Sequence, residues 1–351
     1  MPSNKKILIS TYTYLPDIGG VAKNKSTLVD AFLQRGYEVI VVTSTRGDLS
    51  VVDDRYEIIR SPNIFKLIKL FFWADAVILS NLSVKLGWPV IFKKLYRAKL
   101  GLCHHSSSAF ENKKNGFLKR FIGNKIIKES VHFVNSKYTI QDGGGFFKTL
   151  RAEVTYPIAS RKEIPIEVAS NFKNKKNAIF VGRLSKEKGP EFLVDNIDLI
   201  KKKLQIDKLY IVGDGELIDV LKSKASSEVI FLGAVPLSTV YNAMDESEYV
   251  FVPSIWNEPF GNVAVEGLTS GAIVISSNNG GLPEACGDNA KLFDFKVDGS
   301  FENALVCAKK MRDELLESDI SREDYFKAIA KHLKQFQASE VTGVMINSLY
   351  N

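Results

Sequence analysis

The stretch Val252-Pro-Ser-Ile-Trp-Asn-Glu-Pro-Phe-Gly-Asn-Val-Ala-Val-Glu-Gly-Leu268 carries the pattern that decides the fold. It predicts the end of a strand, a tight loop with Gly261, and a helix that begins near Asn262. A helix N-terminus presents unpaired backbone N–H groups and the positive end of the helix dipole, so it can bind a phosphate. Glu258 and Glu266 flank this helix start. At the helical rise they lie roughly 10 Å apart, a span that suits the two ends of a nucleotide sugar.

In this stretch the chain resembles the retaining glycosyltransferases of the two-Rossmann-domain (GT-B) class, most closely the family 4-like enzymes, or glycosyl transferases group 1. Their pattern is two glutamates separated by seven residues, as in Glu258-Pro-Phe-Gly-Asn-Val-Ala-Val-Glu266. The resemblance implies that Glu258 binds sugar hydroxyls and that Glu266 binds the ribose. It also implies that backbone amides of Phe260, Gly261 and Asn262 face the sugar and phosphate of the donor.

A second match lies in Asn177-Ala-Ile-Phe-Val-Gly-Arg-Leu-Ser-Lys-Glu-Lys-Gly189. Arg183 and Lys188 stand five residues apart across a strand-to-helix turn, so both cations can converge on one anion. The resemblance implies that they hold the donor diphosphate, with Gly182 allowing close approach of the backbone. It further implies that the backbone near Val235, after a later strand, borders the nucleotide base.

The first half alternates short apolar runs with longer amphipathic ones, the pattern of a doubly wound parallel sheet. Lys6 to Thr11 is predicted as the first strand and Lys23 to Gln34 as the first helix. Between them, Gly19 and Gly20 permit a close approach of the backbone to a ligand. The resemblance implies that this loop faces the donor diphosphate and the acceptor.

Two histidines lie at the carboxyl end of the predicted strand Lys99 to His104. His104 and His105 suggest a metal site, but no neighbouring acidic or cysteine set completes one. The resemblance implies that His104 contacts the donor sugar, with His105 a weaker candidate, and that no metal or other cofactor is required. A hydrogen-bonded loop histidine is the alternative for either. Glu284, in a glycine-rich loop, is predicted to be structural rather than catalytic.

We therefore expect an α/β protein with two Rossmann-like, doubly wound parallel-sheet domains, a cleft between them and a C-terminal helix that crosses back to the first. The predicted acceptor domain spans 1–165, the donor domain 166–325 and the C-terminal helices 326–351. The last helix is predicted to have Ser339 as its N-cap.

Charge is distributed unevenly along the 351 residues. Residues 1–165 carry 26 lysine and arginine residues against 13 acidic ones, whereas the remainder has a net charge of −6. The basic first half favours docking to an anionic membrane or acceptor over a merely solvated face. No recognition motif supports nucleic acid as the partner. Three widely spaced cysteines and no long apolar segment indicate a cytoplasmic protein, and with the basic first half they suggest one that is peripheral at the inner face of the membrane.

The sequence thus predicts a retaining hexosyltransferase that uses a UDP-sugar in preference to a GDP-sugar. Its acceptor is predicted to be a saccharide or a lipid-linked molecule in polysaccharide, lipopolysaccharide or glycolipid synthesis. Two alternatives remain. One is a non-catalytic subunit that binds nucleotide sugars, and the other is a different enzyme on the same fold, such as an epimerase or a phosphorylase.

Overall fold

The computed structural model describes residues 5–17, 20–46, 54–105, 116–148, 150–161 and 175–351. The chain divides into two compact units, one made of Met1–Ile158 with Phe336–Asn351 and the other of Ala159–Gln335. The sequence placed the division after residue 165, which lies outside the described residues. It also placed a second division after residue 325, but that position falls inside a continuous helix of the second unit.

The described part of the first unit contains one sheet of seven parallel strands in the order β3-β2-β1-β4-β5-β6-β7. Its strands are β1 (Lys6–Thr11), β2 (Glu38–Thr43), β3 (Glu57–Arg60), β4 (Ala76–Ser80), β5 (Lys99–His104), β6 (Val131–Val134) and β7 (Ala152–Val154). The strand order reverses between β1 and β4. Such a reversal opens a crevice at the carboxyl edge of the sheet.

Helices cover both faces of this sheet. Because side chains alternate along a strand, Ile7 and Ile9 pack on one face and Leu8 on the other. The helices are α1 (Gly20–Gln34), α2 (Ile64–Trp73), α3 (Val84–Gly87), α4 (Phe117–Glu129), α5 (Lys137–Asp142), α6 (Gly145–Lys148) and α15 (Ala338–Tyr350), with a 3-10 helix at Trp88–Leu95. α1 and α15 cover the face of Ile7, and α2 and α4 cover that of Leu8.

The last helix, α15, belongs to the first unit. Val341, Met345 and Leu349 join the core on the α1 face, and the Arg35 guanidinium donates to the Ser339 carbonyl at 2.9 Å. Ser339 was predicted as the N-cap, and this is wrong. The helix already begins at Ala338, with Gln337 at the cap position.

The described part of the second unit contains a sheet of six parallel strands in the order β10-β9-β8-β11-β12-β13. Its strands are β8 (Asn177–Val181), β9 (Lys208–Val212), β10 (Val229–Gly233), β11 (Tyr249–Val252), β12 (Ile273–Ser277) and β13 (Ala290–Phe293). Here the order reverses between β8 and β11, so the loops that follow these two strands are neighbours.

Helices again follow the strands of the second unit. They are α7 (Pro190–Asp195), α8 (Ile197–Leu204), α9 (Ile218–Lys224), α10 (Leu237–Asp245), α11 (Asn262–Thr269), α12 (Leu282–Cys286), α13 (Ser300–Glu317) and α14 (Asp319–Leu333), with 3-10 helices at Lys186–Lys188, Gly287–Asn289 and Lys334–Phe336. The rings of Phe192, Phe293 and Phe301 pack together, with centroids 4.7 to 5.8 Å apart, where α7 and α13 meet the sheet. Both sheets confirm the predicted fold class of two Rossmann-like parallel-sheet domains.

Across the part of the chain that the structure describes, no helix combines the length and the apolarity that crossing a membrane requires.

Candidate functional site

An ion pair joins the two loops at the reversal of strand order in the second unit. The Lys188 ammonium donates to Glu258 Oε1 at 2.5 Å, and the Ser254 hydroxyl donates to the same oxygen at 2.6 Å. The Glu258 carboxylate is buried, and Lys188 is about one-quarter exposed. Sequence reasoning proposed both charged residues separately, but it missed their pairing and the part played by Ser254.

Backbone contacts fix the loop after β8 against the loop after β11. Gly189 has φ +70°, and a Cβ at this position would lie 2.0 Å from the Pro253 carbonyl oxygen. Only glycine therefore fits here without a shift of the backbone. The Ile255 amide donates to the Glu187 carbonyl at 2.8 Å, and Lys188 Nζ lies 5.4 Å from the centre of the Trp256 ring. These contacts hold Lys188 beside Glu258.

A third loop, after β12, also contacts the backbone of Glu258 and Ser254. The Gly281 amide donates to the Glu258 carbonyl at 2.6 Å, and the Asn279 side-chain amide donates to the Ser254 carbonyl at 2.9 Å. At Gly280 a Cβ would lie 2.3 Å from the Glu258 carbonyl oxygen. The position of this carboxylate is therefore set by backbone packing as well as by its ion pair.

The predicted helix after this loop is present as α11. Its cap residue, Gly261, has φ +125°, and a Cβ there would lie 2.5 Å from the Leu282 side chain. Phe260 is buried, whereas Asn262 is exposed at the first helical position. Glu266 is half-buried one turn further along and accepts from the Tyr241 hydroxyl at 3.5 Å. The helix start and Glu266 thus follow Glu258 closely in the chain.

The remaining predicted positions of the second unit lie at the carboxyl ends of strands or at a helix start. Gly182 follows β8, and its amide donates to the Val212 carbonyl at 3.0 Å. Arg183 is exposed in the same loop, and Val235 is half-buried two residues after β10. Glu284 is half-buried in the first turn of α12.

In the first unit, the predicted residues surround the carboxyl edge of the sheet. Gly20 is the first residue of α1, while Gly19 lies outside the described residues. His105 is half-buried, with its Nε2 atom 3.0 Å from the Ser80 hydroxyl. His104 is only 2% exposed, so it is part of the interior of the unit.

His104 pairs edge to edge with His132, a contact that sequence reasoning missed. Their hydrogen bond, from His104 Nε2 to His132 Nδ1, is 2.8 Å long. Burial and the neighbouring His132 lower the pKa of His104 to about 3. Burial also lowers the pKa of His132, and this effect exceeds the opposing hydrogen bond to the Ile127 carbonyl.

The hydrogen bonds define the tautomers of the two neutral rings. His132 Nε2 lies 2.9 Å from the Ile127 carbonyl, which can only accept, so this nitrogen carries the proton. His132 Nδ1 then accepts, and His104 Nε2 donates. Consequently, His104 Nδ1 carries no proton and can act only as an acceptor.

Histidine, cysteine and acidic side chains do not form a cluster that could hold a metal ion within the described ranges. Cys103 and Cys286 are buried, Cys307 is exposed, and all three are free thiols.

Comparison with known proteins finds a family that matches part of the chain. Residues 162–331 match the family described as glycosyl transferases group 1. An uncharacterized glycosyltransferase of Methanocaldococcus jannaschii is 35% identical over 32% of this chain and 29% of its own length. The chain spans 29 to 45% of the length of three curated relatives that match it at 30 to 35% identity.

Two further similarities extend along most of the chain. Alpha-monoglucosyldiacylglycerol synthase of Streptococcus pneumoniae is 24% identical over 92% of this chain and 84% of its own length. The crystal structure of Anabaena HepE in complex with UDP superposes with a TM-score of 0.72 at 18% identity. That superposition covers 98% of this chain and 99% of HepE and shows a shared fold.

The histidine pair predicts a loss of stability in acid. Below pH 6.5 the unfolded chain binds protons at both histidines, while the folded rings stay neutral, so the free energy of unfolding falls as the pH falls. For His104 alone the loss at pH 5 is about 2 kcal/mol. His104→Gln keeps a donor towards His132 but cannot titrate. Urea unfolding at pH 7 and pH 5 should therefore show a smaller difference for this variant than for the wild type. If the wild type and the variant lost the same free energy of unfolding between pH 7 and pH 5, the assignment of His104 as neutral would be contradicted.

Proposed function

We propose that the chain, whose residues 162–331 match the family of glycosyl transferases group 1, transfers a sugar from a nucleotide diphosphate to an acceptor with retention of configuration. The donor is a UDP-sugar in preference to a GDP-sugar, and the transferred group is a hexose. The observation that carries this proposal is the Lys188–Glu258 pair, held where the strand order of the second sheet reverses. Parallel sheets bind nucleotides at this position.

In this proposal the loop after β8 binds the donor diphosphate. An ammonium group has three N–H donors, and Lys188 uses one of them on Glu258, so two remain for phosphate oxygens. Arg183 is exposed in the same loop and supplies a second cation. The backbone at Gly182 permits close approach. These two cations, rather than a metal ion, neutralise the charge that develops on the leaving diphosphate.

The two carboxylates bind the two sugars of the donor. Both described hydrogen bonds of the Glu258 side chain go to Oε1, so Oε2 accepts from hydroxyls of the transferred sugar. Glu266 binds the ribose hydroxyls, and the backbone near Val235 borders the base. The amides of Phe260, Gly261 and Asn262, at the start of α11 and just before it, face the sugar and the phosphate, where the helix dipole favours negative charge.

The reaction we propose is a front-face displacement. The acceptor hydroxyl forms a bond to the anomeric carbon on the face from which the diphosphate leaves, and a phosphate oxygen takes the hydroxyl proton. The protein contributes positioning and electrostatic stabilisation instead of a covalent nucleophile. If His104 contacts a substrate hydroxyl, its tautomer restricts it to accepting through Nδ1.

The first unit suits an acceptor at an anionic surface. Apolar side chains are exposed on α2, the 3-10 helix Trp88–Leu95 and α4, including Phe117 at 88% and Leu118 at 69%. These elements are neighbours, since α2 and α4 both contact the 3-10 helix. Lysines lie among the apolar residues, including Lys119 and Lys125 on α4. Aromatic and basic side chains together favour binding at a lipid headgroup interface.

We therefore propose that the acceptor is lipid-linked or part of a lipopolysaccharide-type molecule, and that the protein acts peripherally at the inner face of the cytoplasmic membrane. The name of the Streptococcus pneumoniae relative, a glycolipid synthase, supports this class of acceptor. The UDP in the Anabaena HepE complex supports the preference for uridine.

Calorimetric titration with UDP, GDP and ADP tests the donor site. We expect UDP to bind most tightly, and Lys188→Met and Glu266→Gln to weaken binding by about 1–3 kcal/mol each through loss of charge-assisted hydrogen bonds. Lys186→Met, an exposed lysine two residues from Lys188, and Glu284→Gln are the matched controls and should bind as the wild type does.

Hydrolysis of the bound UDP-sugar, followed by NMR, then distinguishes the enzyme from a non-catalytic subunit. A transferase releases the sugar with its anomeric configuration retained, whereas a non-catalytic subunit binds without turnover. Binding that is unaffected by both Lys188→Met and Glu266→Gln would refute the proposed site.

Sedimentation with vesicles tests the membrane surface. The wild type should bind vesicles that contain anionic lipid at low salt and should dissociate at high salt, because salt screens the attraction. Phe117→Ser with Leu118→Ser should weaken binding. Ile320→Ser, on a side chain of the second unit that is 75% exposed, should not. Equal binding of both variants, or no binding of the wild type, would contradict the proposal.

A further inference from the structure

A small cavity lies in the first unit at the carboxyl edge of its sheet. Its volume is about 30 Å³, and it is lined by α1, by the ends of β5 and β6 and the chain that follows them and β7, and by α15. Its polar lining includes Lys25, His104, His105, Asn135 and Tyr156. Ligands of parallel sheets bind at this edge, and no role above has been given to Lys25 or Asn135.

The side chain of Lys25 is the unusual feature of this cavity. It is 1% exposed and lies on the buried face of α1, between Ala22 and Leu28. Lysine is almost never fully buried without a partner, because removing an ammonium from water costs several kcal/mol. Among the residues that the structure describes, no hydrogen bond or ion pair involves its Nζ atom.

The groups around Lys25 do not balance its charge. Burial, and then the Lys25 ammonium itself, hold the pKa of His105 well below its ordinary value, so this ring is neutral. His104 is neutral as well. The Asn135 side-chain oxygen accepts from the Thr139 hydroxyl at 3.3 Å, which leaves its amide nitrogen as a donor. The cavity therefore combines one positive charge and the Asn135 amide donor with one acceptor, His104 Nδ1.

We propose that this cavity binds an anionic group of the acceptor, a carboxylate or a phosphate, with Lys25 as its charge partner. One water needs about 10–15 Å³ of such space, so the cavity admits the oxygens of such a group but not a sugar ring. The rest of the acceptor lies outside. Lys25 is thus a residue that selects acidic saccharides. This inference rests on the proposed glycosyl transfer and names the class of its acceptor.

Lys25→Met tests the inference, because methionine fills the same buried position without a charge. The probes are glucuronate, glucose 6-phosphate and neutral glucose, titrated in the presence of UDP. The wild type should bind at least one acidic sugar about tenfold or more tightly than glucose, as one charge-assisted hydrogen bond predicts. Comparison of the two acidic sugars separates a carboxylate from a phosphate. In Lys25→Met the preference should disappear, while Lys23→Met on the same helix should retain it.

Thermal unfolding of Lys25→Met distinguishes a binding residue from a structural one. If Lys25 is kept for a ligand, the free variant should unfold at the same temperature as the wild type or higher, since an unpaired buried charge is removed. A lower unfolding temperature, a variant that does not fold, or an unchanged preference for acidic sugars would each overturn the inference. UDP binding should be equal in both proteins. If UDP bound to neither protein, the proposed donor site would be refuted. The comparison of acidic and neutral sugars would still test Lys25, because it measures a different ligand.

Discussion

The ion pair between Lys188 and Glu258 is the contact on which the candidate site depends. Each charge offsets part of the cost of burying the other, and loss of either partner would leave a charge in a largely dry position. The pair forms only because β8 and β11 are adjacent, although β9 and β10 separate them in the chain. Gly189 and Gly280 are required next to it, because a Cβ at either position would collide with backbone.

This arrangement suits a reaction that needs positioning more than a nucleophile. A diphosphate requires fixed cations, and a sugar requires fixed acceptors, and both are more effective when they are held before the ligand arrives. Glu258 is held by Lys188, by Ser254 and by the backbone of Gly281. Little reorganisation of this carboxylate is then needed when a donor binds.

Much of the second unit could be predicted because its evidence is local. The ends of β8 and β11, the start of α11 at Asn262 and the proline that opens α7 all follow from short patterns of apolar residues, glycine and proline. The pairing of Lys188 with Glu258 could not be predicted, since it depends on strand order. Ser254 was missed for the same reason, although it lies within the stretch from Val252 to Leu268.

The first unit shows where sequence reasoning fails and what could improve it. His104 was predicted at the carboxyl end of a strand as a contact of the donor sugar. Its burial against His132 was not predicted, because only the register of β5 and β6 places the two rings on the same face. The burial of Lys25 was indicated by the local sequence. Ala22, Lys25 and Leu28 recur at helical spacing, so the pattern put a lysine on the apolar face of α1.

The most direct test of the donor site is a crystal structure of the protein with UDP bound. We predict that diphosphate oxygens lie within hydrogen-bonding distance of Lys188 Nζ and the Arg183 guanidinium, that Glu266 contacts the ribose, and that Glu258 remains paired with Lys188. A nucleotide bound elsewhere in the chain, or one whose diphosphate contacts neither Arg183 nor Lys188, would contradict the assignment of the site.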